Sequence, residues 1–312
     1  MAPQHAHFAQ HTTPVAAPAH VVYGLLADAP NWPLLLPGYL HVERMDLAAA
    51  PGEATEEHLR TWHLHTGHVR STRTRRLLRP ADRAIDFEQS DTLLPGAPLR
   101  GTWTVRPQGP ARCLLGLTHD PPAGTPAPDT RAEADQVAAA AERWESLDEL
   151  LLSFEDSTRI HGPAEAVYDF LHRIQDWPEL LPHVEHADVR EDQPGIQFAT
   201  LDTCATRTGT TLTTGLVRLC FPHAARIVYR HTTVPALIAA HSGEWYLEPE
   251  ADGVRAVSAH RVMLRAEAAA ALGPHAQLTD ARRHVRAWLG RTGTETLNLA
   301  RWHAENAVRR LR

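Results

Sequence analysis

The chain has 312 residues, enough for two domains of ordinary size, and 43% of them are hydrophobic. Its 31 basic and 37 acidic residues give a net charge of −6, which argues against nucleic acid or an anionic membrane as the main partner. Every basic residue is arginine, so mechanisms with a Schiff-base or P-loop lysine are excluded. Three cysteines without a CxxC pair favour a reduced, cytoplasmic protein.

An internal repeat divides the sequence. Residues 15–37 and 160–182 align without a gap at an offset of 145, with eleven identities over the twenty-four positions 18–41. Chance gives roughly one or two identities over that length. A second match pairs Gly101-Thr-Trp103 with Gly243-Glu-Trp245 at an offset of 142. We therefore predict a duplication, with one domain over residues 1–152 and the other over 153–312.

The first domain reads as a strand over 8–15, a helix after Pro18, and a Trp-Pro segment that is too proline-rich for a long helix. Alternating apolar and polar residues then predict antiparallel strands over 54–65, 68–79, 83–92, 99–107 and 111–119. The domain is expected to end in one long helix over Asp129–Leu152.

The second domain repeats this order. A strand over 153–161 and a helix after Pro163 precede strands over 185–192, 196–205, 208–219, 225–233, 242–250 and 254–266. A long helix over 278–309 closes it. Each domain is therefore predicted to be an α+β fold in which a curved antiparallel sheet wraps around a C-terminal helix and leaves a cavity between the two.

Three motifs carry a resemblance to a known family. The segment Trp32-Pro33-Leu34-Leu35-Leu36-Pro37-Gly38-Tyr39, the arginine-rich strand 69–80 and the run Ile85-Asp-Phe-Glu-Gln89 resemble the aromatase/cyclases of bacterial type II polyketide synthases. That family has the helix-grip (START-like) fold, and the duplication matches its didomain subclass.

The resemblance implies a regiospecific aldol cyclisation of a linear poly-β-ketone, with or without dehydration to an aromatic ring. It implies an acyl carrier protein that holds the substrate, other type II polyketide synthase enzymes as partners, and no metal or organic cofactor. Neither nucleic acid nor a membrane is expected as a partner.

Arg76 is the catalytic residue that the resemblance implies. On the strand 69–79, Thr72, Thr74 and Arg76 share one face, and a guanidinium inside a dry pocket stabilises a developing enolate or alkoxide. The alternative interpretation is a solvated arginine among several, and a register shift of one residue would select Arg75 instead. Thr74 keeps a hydroxyl where the family commonly has serine, and Thr72 is expected to contact substrate.

Tyr39 matches the family's pocket tyrosine, which can donate a proton or orient the substrate; packing at a loop edge is the alternative. Trp32 and Trp177 are candidates for substrate contact, although an aromatic beside proline is more often a packing residue. Trp103 and Trp245 are better candidates because both lie in mid-strand.

The second domain departs from this pattern. Val184 aligns with Tyr39 and Leu216 with Thr74, whereas Arg218 aligns with Arg76. We expect Tyr229, His241 and Asn298 to supply polar groups there. The second domain is then either a second site for dehydration or a structural partner, and the first domain is expected to carry the cyclisation.

Twenty-one histidines raise the question of a metal site. His63 and His65 share a strand face and His68 follows the next turn, but no third ligand stands at a recognisable spacing. Surface histidines on a hairpin are the simpler interpretation. Two functions other than catalysis stay open: a non-catalytic carrier of a lipid, quinone or polyketide, and a scaffold for partner enzymes.

Overall fold

The computed structural model describes residues 8–92, 96–125, 128–205 and 210–310. The chain forms two compact units, Met1–Asp148 and Glu149–Arg312. Each unit has one seven-stranded antiparallel sheet and flanking helices. No helix in the described ranges is long and apolar enough to cross a membrane.

The first unit begins with β1 (Ala9–Val15), α1 (Ala19–Ala27) and α2 (Trp32–Leu35). The strands β2 (Tyr39–Ala50), β3 (Ala54–His65), β4 (His68–Arg79), β5 (Ala84–Asp91), β6 (Leu99–Pro107) and β7 (Cys113–Asp120) follow, and then α3 (Thr130–Ala141). The sheet order is β1-β7-β6-β5-β4-β3-β2. A short helix, α4 (Trp144–Leu150), leads to the second unit.

The second unit repeats the arrangement. It contains β8 (Leu151–Ile160), α5 (Ala164–His172), α6 (Trp177–Leu180), β9 (Val184–Gln193), β10 (Ile196–Ala205), β11 (Thr210–Phe221), β12 (Arg226–Thr233), β13 (Ile238–Glu250), β14 (Gly253–Leu264) and α7 (Leu278–Arg310). Its sheet order is β8-β14-β13-β12-β11-β10-β9, the counterpart of the first. Residues 208 and 209 of the predicted strand 208–219 lie outside the described residues.

The Trp-Pro segment after the first helix is anchored in the same way in both units. The Trp32 indole Nε1 donates to the Leu25 carbonyl at 3.0 Å, and the Trp177 indole Nε1 donates to the Phe170 carbonyl at 3.2 Å. Both indoles are buried. The repeated tryptophan therefore ties the α2 or α6 turn to the end of the preceding helix.

The prediction of one long helix over Asp129–Leu152 was wrong. Helix α3 ends at Ala141, α4 begins at Trp144, and Leu151 and Leu152 belong to β8, where they pair with Met263 and Val262 of β14. The Glu142 carboxylate accepts the backbone N–H of Ala16 at 3.0 Å just after α3 ends. Contacts distant in sequence thus interrupt a segment whose local pattern is helical.

Candidate active site

A cavity of about 710 Å³ lies in the second unit between the sheet and helix α7. Its wall is mostly apolar, with Leu201, Leu216 and Leu289 among the lining side chains. Six residues singled out in the sequence of this unit line it together: Trp177, Arg218, Tyr229, His241, Trp245 and Asn298. A ligand site of this size suits a drug-sized organic molecule.

The polar groups of this cavity come largely from one row across the sheet. Cross-strand pairing places Gln197 beside Arg218, Arg218 beside Tyr229, Tyr229 beside Gly243, and Gly243 beside His260. Gly243 is needed in this row because a Cβ there would overlap the Tyr229 hydroxyl. The row therefore places a cation, a phenol and an imidazole on the same face of the sheet, within the five adjacent strands β10 to β14.

Two side chains next to the row complete a hydrogen-bond network around His260. The Tyr229 hydroxyl lies 3.1 Å from His260 Nδ1, and His241 Nε2 lies 3.2 Å from the same nitrogen. Ser258 Oγ lies 3.0 Å from His260 Nε2. The His231 ring stacks on His241 with 4.5 Å between ring centroids. Three imidazoles and a phenol thus form one connected cluster.

Burial decides the charge of this cluster. It lowers the pKa of His231 and of His260 to about 4 and that of His241 well below its ordinary value. It raises the pKa of the Tyr229 phenol. At neutral pH the imidazoles are therefore uncharged and able to accept a proton, while the phenol keeps its proton and can donate it.

Arg218 brings a positive charge to the same cavity. Its guanidinium is 1% exposed and donates to the Leu171 carbonyl, to the His172 carbonyl at 3.1 Å and to Gln197 Oε1 at 2.6 Å. Gln197 is neutral, and its own amide donates to Glu191 at 2.9 Å. Desolvation lowers the pKa of Arg218, yet an arginine stays charged at neutral pH.

Exposed side chains of α7 form one rim of the cavity. Arg291, Glu295 and Asn298 are exposed and line it, at helical spacing. Glu295 pairs across the rim with His183, 3.5 Å away, in the turn after α6. The entrance to the cavity is therefore bordered by polar side chains, whereas the wall around the buried cluster is mostly apolar.

The first unit has the equivalent row with different chemistry. Pairing places Glu57 beside Arg76, Arg76 beside Phe87, Phe87 beside Gly101, and Gly101 beside His119. Phe87 stands where the second unit has Tyr229, and Glu57 stands where it has Gln197. The phenol is absent from this row and the cation has a carboxylate partner.

Arg76 faces inward, as the choice of strand face required, and Arg75 is exposed and paired with Glu56. The Arg76 guanidinium donates to Glu57 at 2.6 Å from Nε, to the Leu26 carbonyl at 2.8 Å and to the Ala27 carbonyl at 3.0 Å. It also lies over the Trp32 ring, 4.9 Å from the centroid. Its visible role is to bind the C-terminal end of α1.

The other first-unit candidates pack around this row. Tyr39 contacts the Trp32 ring at 4.9 Å and the His63 ring at 4.3 Å between centroids. Thr72 and Thr74 are buried, and Thr72 shares a 2.7 Å hydrogen bond with Thr61. Trp103 belongs to the hydrophobic core of the unit. The catalytic role of Arg76, Tyr39 and Thr74 stays a prediction.

The sequence reasoning missed Gln197, His231, Ser258 and His260. The alternation in β14 puts Ser258 and His260 on one face, and Gly243 marks the strand position beside His260, but the pairing register is needed to join these signals. Among the described residues, no group of three histidine, cysteine or acidic side chains is arranged to hold a metal.

The fold and the site define a class: a helix-grip protein, built twice in one chain, with a polar row inside an apolar cavity. Family models described as "Polyketide cyclase / dehydrase and lipid transport" match residues 15–141 and residues 152–300. The chain belongs to this polyketide cyclase/dehydrase family.

Full-length relatives are similar over both units. The granaticin polyketide synthase bifunctional cyclase/dehydratase of Streptomyces violaceoruber is 32% identical over 97% of this chain and 95% of its own length. The actinorhodin polyketide synthase bifunctional cyclase/dehydratase of Streptomyces coelicolor is 33% identical over 94% and 96%. The di-domain ARO/CYC BexL of the BE-7585A pathway superposes with a TM-score of 0.80 at 38% identity, covering 96% of this chain and 99% of that one.

Proposed function

We propose that this protein is a polyketide aromatase/cyclase, and that the cavity of the second unit carries the aldol cyclisation and the dehydration that follows. The observation that supports this most directly is the Tyr229–His260–His241 cluster beside Arg218 in an otherwise apolar cavity. The expectation from sequence favoured the first unit. We place the reaction in the second unit instead, because the first-unit row has Phe87 in place of the phenol and pairs its arginine with Glu57.

An aldol cyclisation needs a base for a proton between two ketones and an acid for the oxygen of the attacked ketone. The neutral His241 imidazole takes the proton, and the enolate carbon forms the new carbon–carbon bond. The Tyr229 hydroxyl gives its proton to the resulting alkoxide. His260 Nδ1, which contacts both groups, passes the proton from His241 Nε2 to the Tyr229 oxygen. Loss of water then forms the double bond of the aromatic ring.

Arg218 supports the charged states of this reaction. A buried cation without an adjacent carboxylate lowers the energy of an enolate or alkoxide in the same cavity. The carbonyls of Leu171 and His172 and the amide of Gln197 fix its position without neutralising it. It therefore acts through its field on the oxyanion.

The carrier and the location follow from the same proposal. A poly-β-ketone is delivered on an acyl carrier protein by the other enzymes of a type II polyketide synthase, and such an assembly works in the cytoplasm. Trp177 and Trp245 line the cavity and offer flat apolar surfaces to a folded polyketide chain. Asn298 borders the entrance.

The test is a reconstitution with a minimal polyketide synthase and its carrier protein, with product regiochemistry as the readout. Wild-type protein should convert the spontaneous shunt products into a single cyclised pattern, and the double variant His241→Phe/Tyr229→Phe should not. Unchanged shunt products with wild-type protein would sink the proposal. Tight binding of a polyketide or lipid without any change of products would point to a carrier.

A further inference from the structure

We propose that Ser258 is a positioning residue that holds the proton of His260 on Nε2 and so keeps Nδ1 free to accept the hydrogen bond of Tyr229 and the proton that His241 passes on. This inference rests on the proposed function, because it explains how the cluster is kept ready for that reaction. Ser258 itself is fully buried and does not line the cavity.

The partners of the two His260 nitrogens differ in kind. Two groups converge on Nδ1: the Tyr229 hydroxyl at 3.1 Å, which carries a proton to donate, and His241 Nε2 at 3.2 Å, which donates when it is the protonated nitrogen of that ring. Nε2 faces the Ser258 hydroxyl at 3.0 Å, which can accept as well as donate. Because a neutral imidazole has one N–H, the network is satisfied when Nε2 donates to Ser258 and Nδ1 accepts.

The ring of His260 is also held in orientation. Phe154 stacks on it with 4.9 Å between centroids and an interplanar angle of 26°, and His241 stacks at 5.4 Å. A ring flip would have to separate these contacts and all three hydrogen bonds at once. The orientation of the His260 ring is therefore fixed, and only its tautomer can vary. Ser258 contacts Nε2 and so influences which of the two nitrogens carries the proton.

Helix α7 closes the back of this pair. A Cβ built on Gly293 would lie 3.1 Å from Ser258 Oγ and 3.3 Å from His260 Nε2. Such contacts are tighter than ordinary van der Waals contact, so any side chain at Gly293 would press on the hydrogen bond. The glycine leaves room for the Ser258–His260 pair beneath the helix.

The first unit shows that this arrangement is not a general feature of the fold. Leu117 stands two residues before His119, where the second unit has Ser258 before His260. His119 Nδ1 instead shares a 2.9 Å hydrogen bond with Thr130 of α3. The serine is therefore found in the unit whose row contains Tyr229.

The decisive readout is the tautomer of His260 in the intact protein, measured by ¹⁵N NMR of its imidazole nitrogens and assigned with His260→Phe. Wild-type protein should show the Nε2–H form. Ser258→Ala should move the population toward Nδ1–H, and Ser258→Thr, which keeps the hydroxyl, should restore Nε2–H. Ser242→Ala removes another buried serine hydroxyl, on β13, and should leave the tautomer unchanged.

Cyclisation kinetics of the same variants complete the test. Ser258→Ala should lower kcat by about tenfold to a hundredfold with KM nearly unchanged, because proton transfer slows while the cavity wall is intact. Gly293→Ala, whose Cβ would press on the same hydrogen bond, should show the same kcat loss and tautomer shift.

The outcomes separate this inference from the proposed function. An Nε2–H form that persists in Ser258→Ala overturns the role of Ser258, whatever the activity. An Nδ1–H form in wild-type protein overturns it as well. Loss of the tautomer preference in a protein that never changes polyketide products would instead leave Ser258 as the positioning residue and reject the cyclase proposal.

Discussion

A single oxygen atom separates the corresponding aromatic residues of the two units. Tyr229 and Phe87 occupy the same place in their rows, each opposite a glycine that makes room for the ring. Only Tyr229 can give a proton to a ketone oxygen. The difference can be tested without disturbing the packing of either sheet, because phenylalanine already fits this position in the first unit.

Tyr229→Phe should lower the rate of cyclisation by about a hundredfold to a thousandfold, because the acid that protonates the alkoxide is removed. The measurement is the rate of formation of the cyclised product from the carrier-bound substrate. Tyr168→Phe is the matched control: it removes a second buried phenol of this unit whose oxygen has no hydrogen-bond partner. A Tyr229→Phe protein as fast as wild type would remove Tyr229 from the mechanism.

The two units also differ in the residue that accepts a hydrogen bond from the buried arginine, which is Gln197 for Arg218 and Glu57 for Arg76. Gln197→Glu should give Arg218 the carboxylate partner that Arg76 has in Glu57, and so weaken the field that stabilises an oxyanion. We expect about a tenfold or larger fall in kcat. The melting temperature should not rise, because the variant loses the hydrogen bond of the Gln197 amide to Glu191 and places two carboxylates side by side.

Glu57→Gln makes the reverse change in the first unit and should lower the melting temperature while cyclisation proceeds at the wild-type rate. Arg76 would then be buried without its carboxylate partner. If Glu57→Gln slowed cyclisation and Gln197→Glu did not, the chemistry would belong to the first unit.

At the scale of elements, each buried arginine ties a strand to the end of a helix. Arg76 on β4 binds the last carbonyls of α1, and Arg218 on β11 binds those at the end of α5. A cation at a helix C-terminus also meets the negative end of the helix dipole. The same device thus fixes the first helix against the sheet in both units.

Arg76→Met should lower the free energy of unfolding by about 3–5 kcal/mol, because it leaves the fully buried Glu57 without one of its two arginine partners. Arg218→Met should cost less, since Gln197 is neutral. Urea unfolding of both variants measures the difference. Arg76→Met/Glu57→Leu should recover part of the loss, and a double variant as unstable as the single one would contradict the ion-pair explanation.

Most strands and the long helix α7 were predictable from sequence, whereas one strand and the two helices directly before β8 were not. The strand β4 was predicted over its full observed range because its inward and outward residues alternate. The strand β2 was not predicted. Its apolar and polar residues alternate over residues 40–43 and again over residues 44–47, but the phase of the alternation changes between the two runs, and the register with β3 shifts between Arg44 and Asp46. The break after α3 lies at the contact between Glu142 and Ala16, and α4 ends where β8 pairs with β14; a local pattern contains neither contact.

The site residues were likewise predictable from local patterns in part, and in part only from contacts between strands. Alternation placed Thr72, Thr74 and Arg76 on one strand face, and the family resemblance chose Arg76 as the inward arginine. The repeat then gave its counterpart Arg218. The partners of these arginines are backbone carbonyls at a helix end, which no residue type reveals. His260 and Ser258 could be joined to Tyr229 only through the register of β12, β13 and β14.

At the scale of the whole molecule, both units bury histidines that must stay neutral. Burial lowers the pKa of His63 and His119 in the first unit, and of His231 and His260 in the second, to about 4. Burial also lowers the pKa of His241 well below its ordinary value. The same burial that keeps the second-unit imidazoles neutral therefore makes the fold sensitive to acid.

The sign of this sensitivity follows from proton counting. In the unfolded chain a histidine takes up a proton below its ordinary pKa of 6.5, whereas in the folded protein these residues stay neutral until about pH 4. The unfolded state therefore binds more protons between these values, and the free energy of unfolding falls as the pH falls. Each such histidine contributes about 1.4 kcal/mol per pH unit to the slope.

We therefore expect a steep loss of stability between about pH 6.5 and pH 4, measured as the free energy of urea unfolding of the intact protein. His231→Phe removes one buried imidazole and should reduce the slope by about 1.4 kcal/mol per pH unit. His223→Gln, which removes an exposed imidazole, is the matched control. A slope unaltered in His231→Phe would show that this imidazole is already protonated in the folded protein, and the neutral base cluster of the second unit would then lose its physical basis.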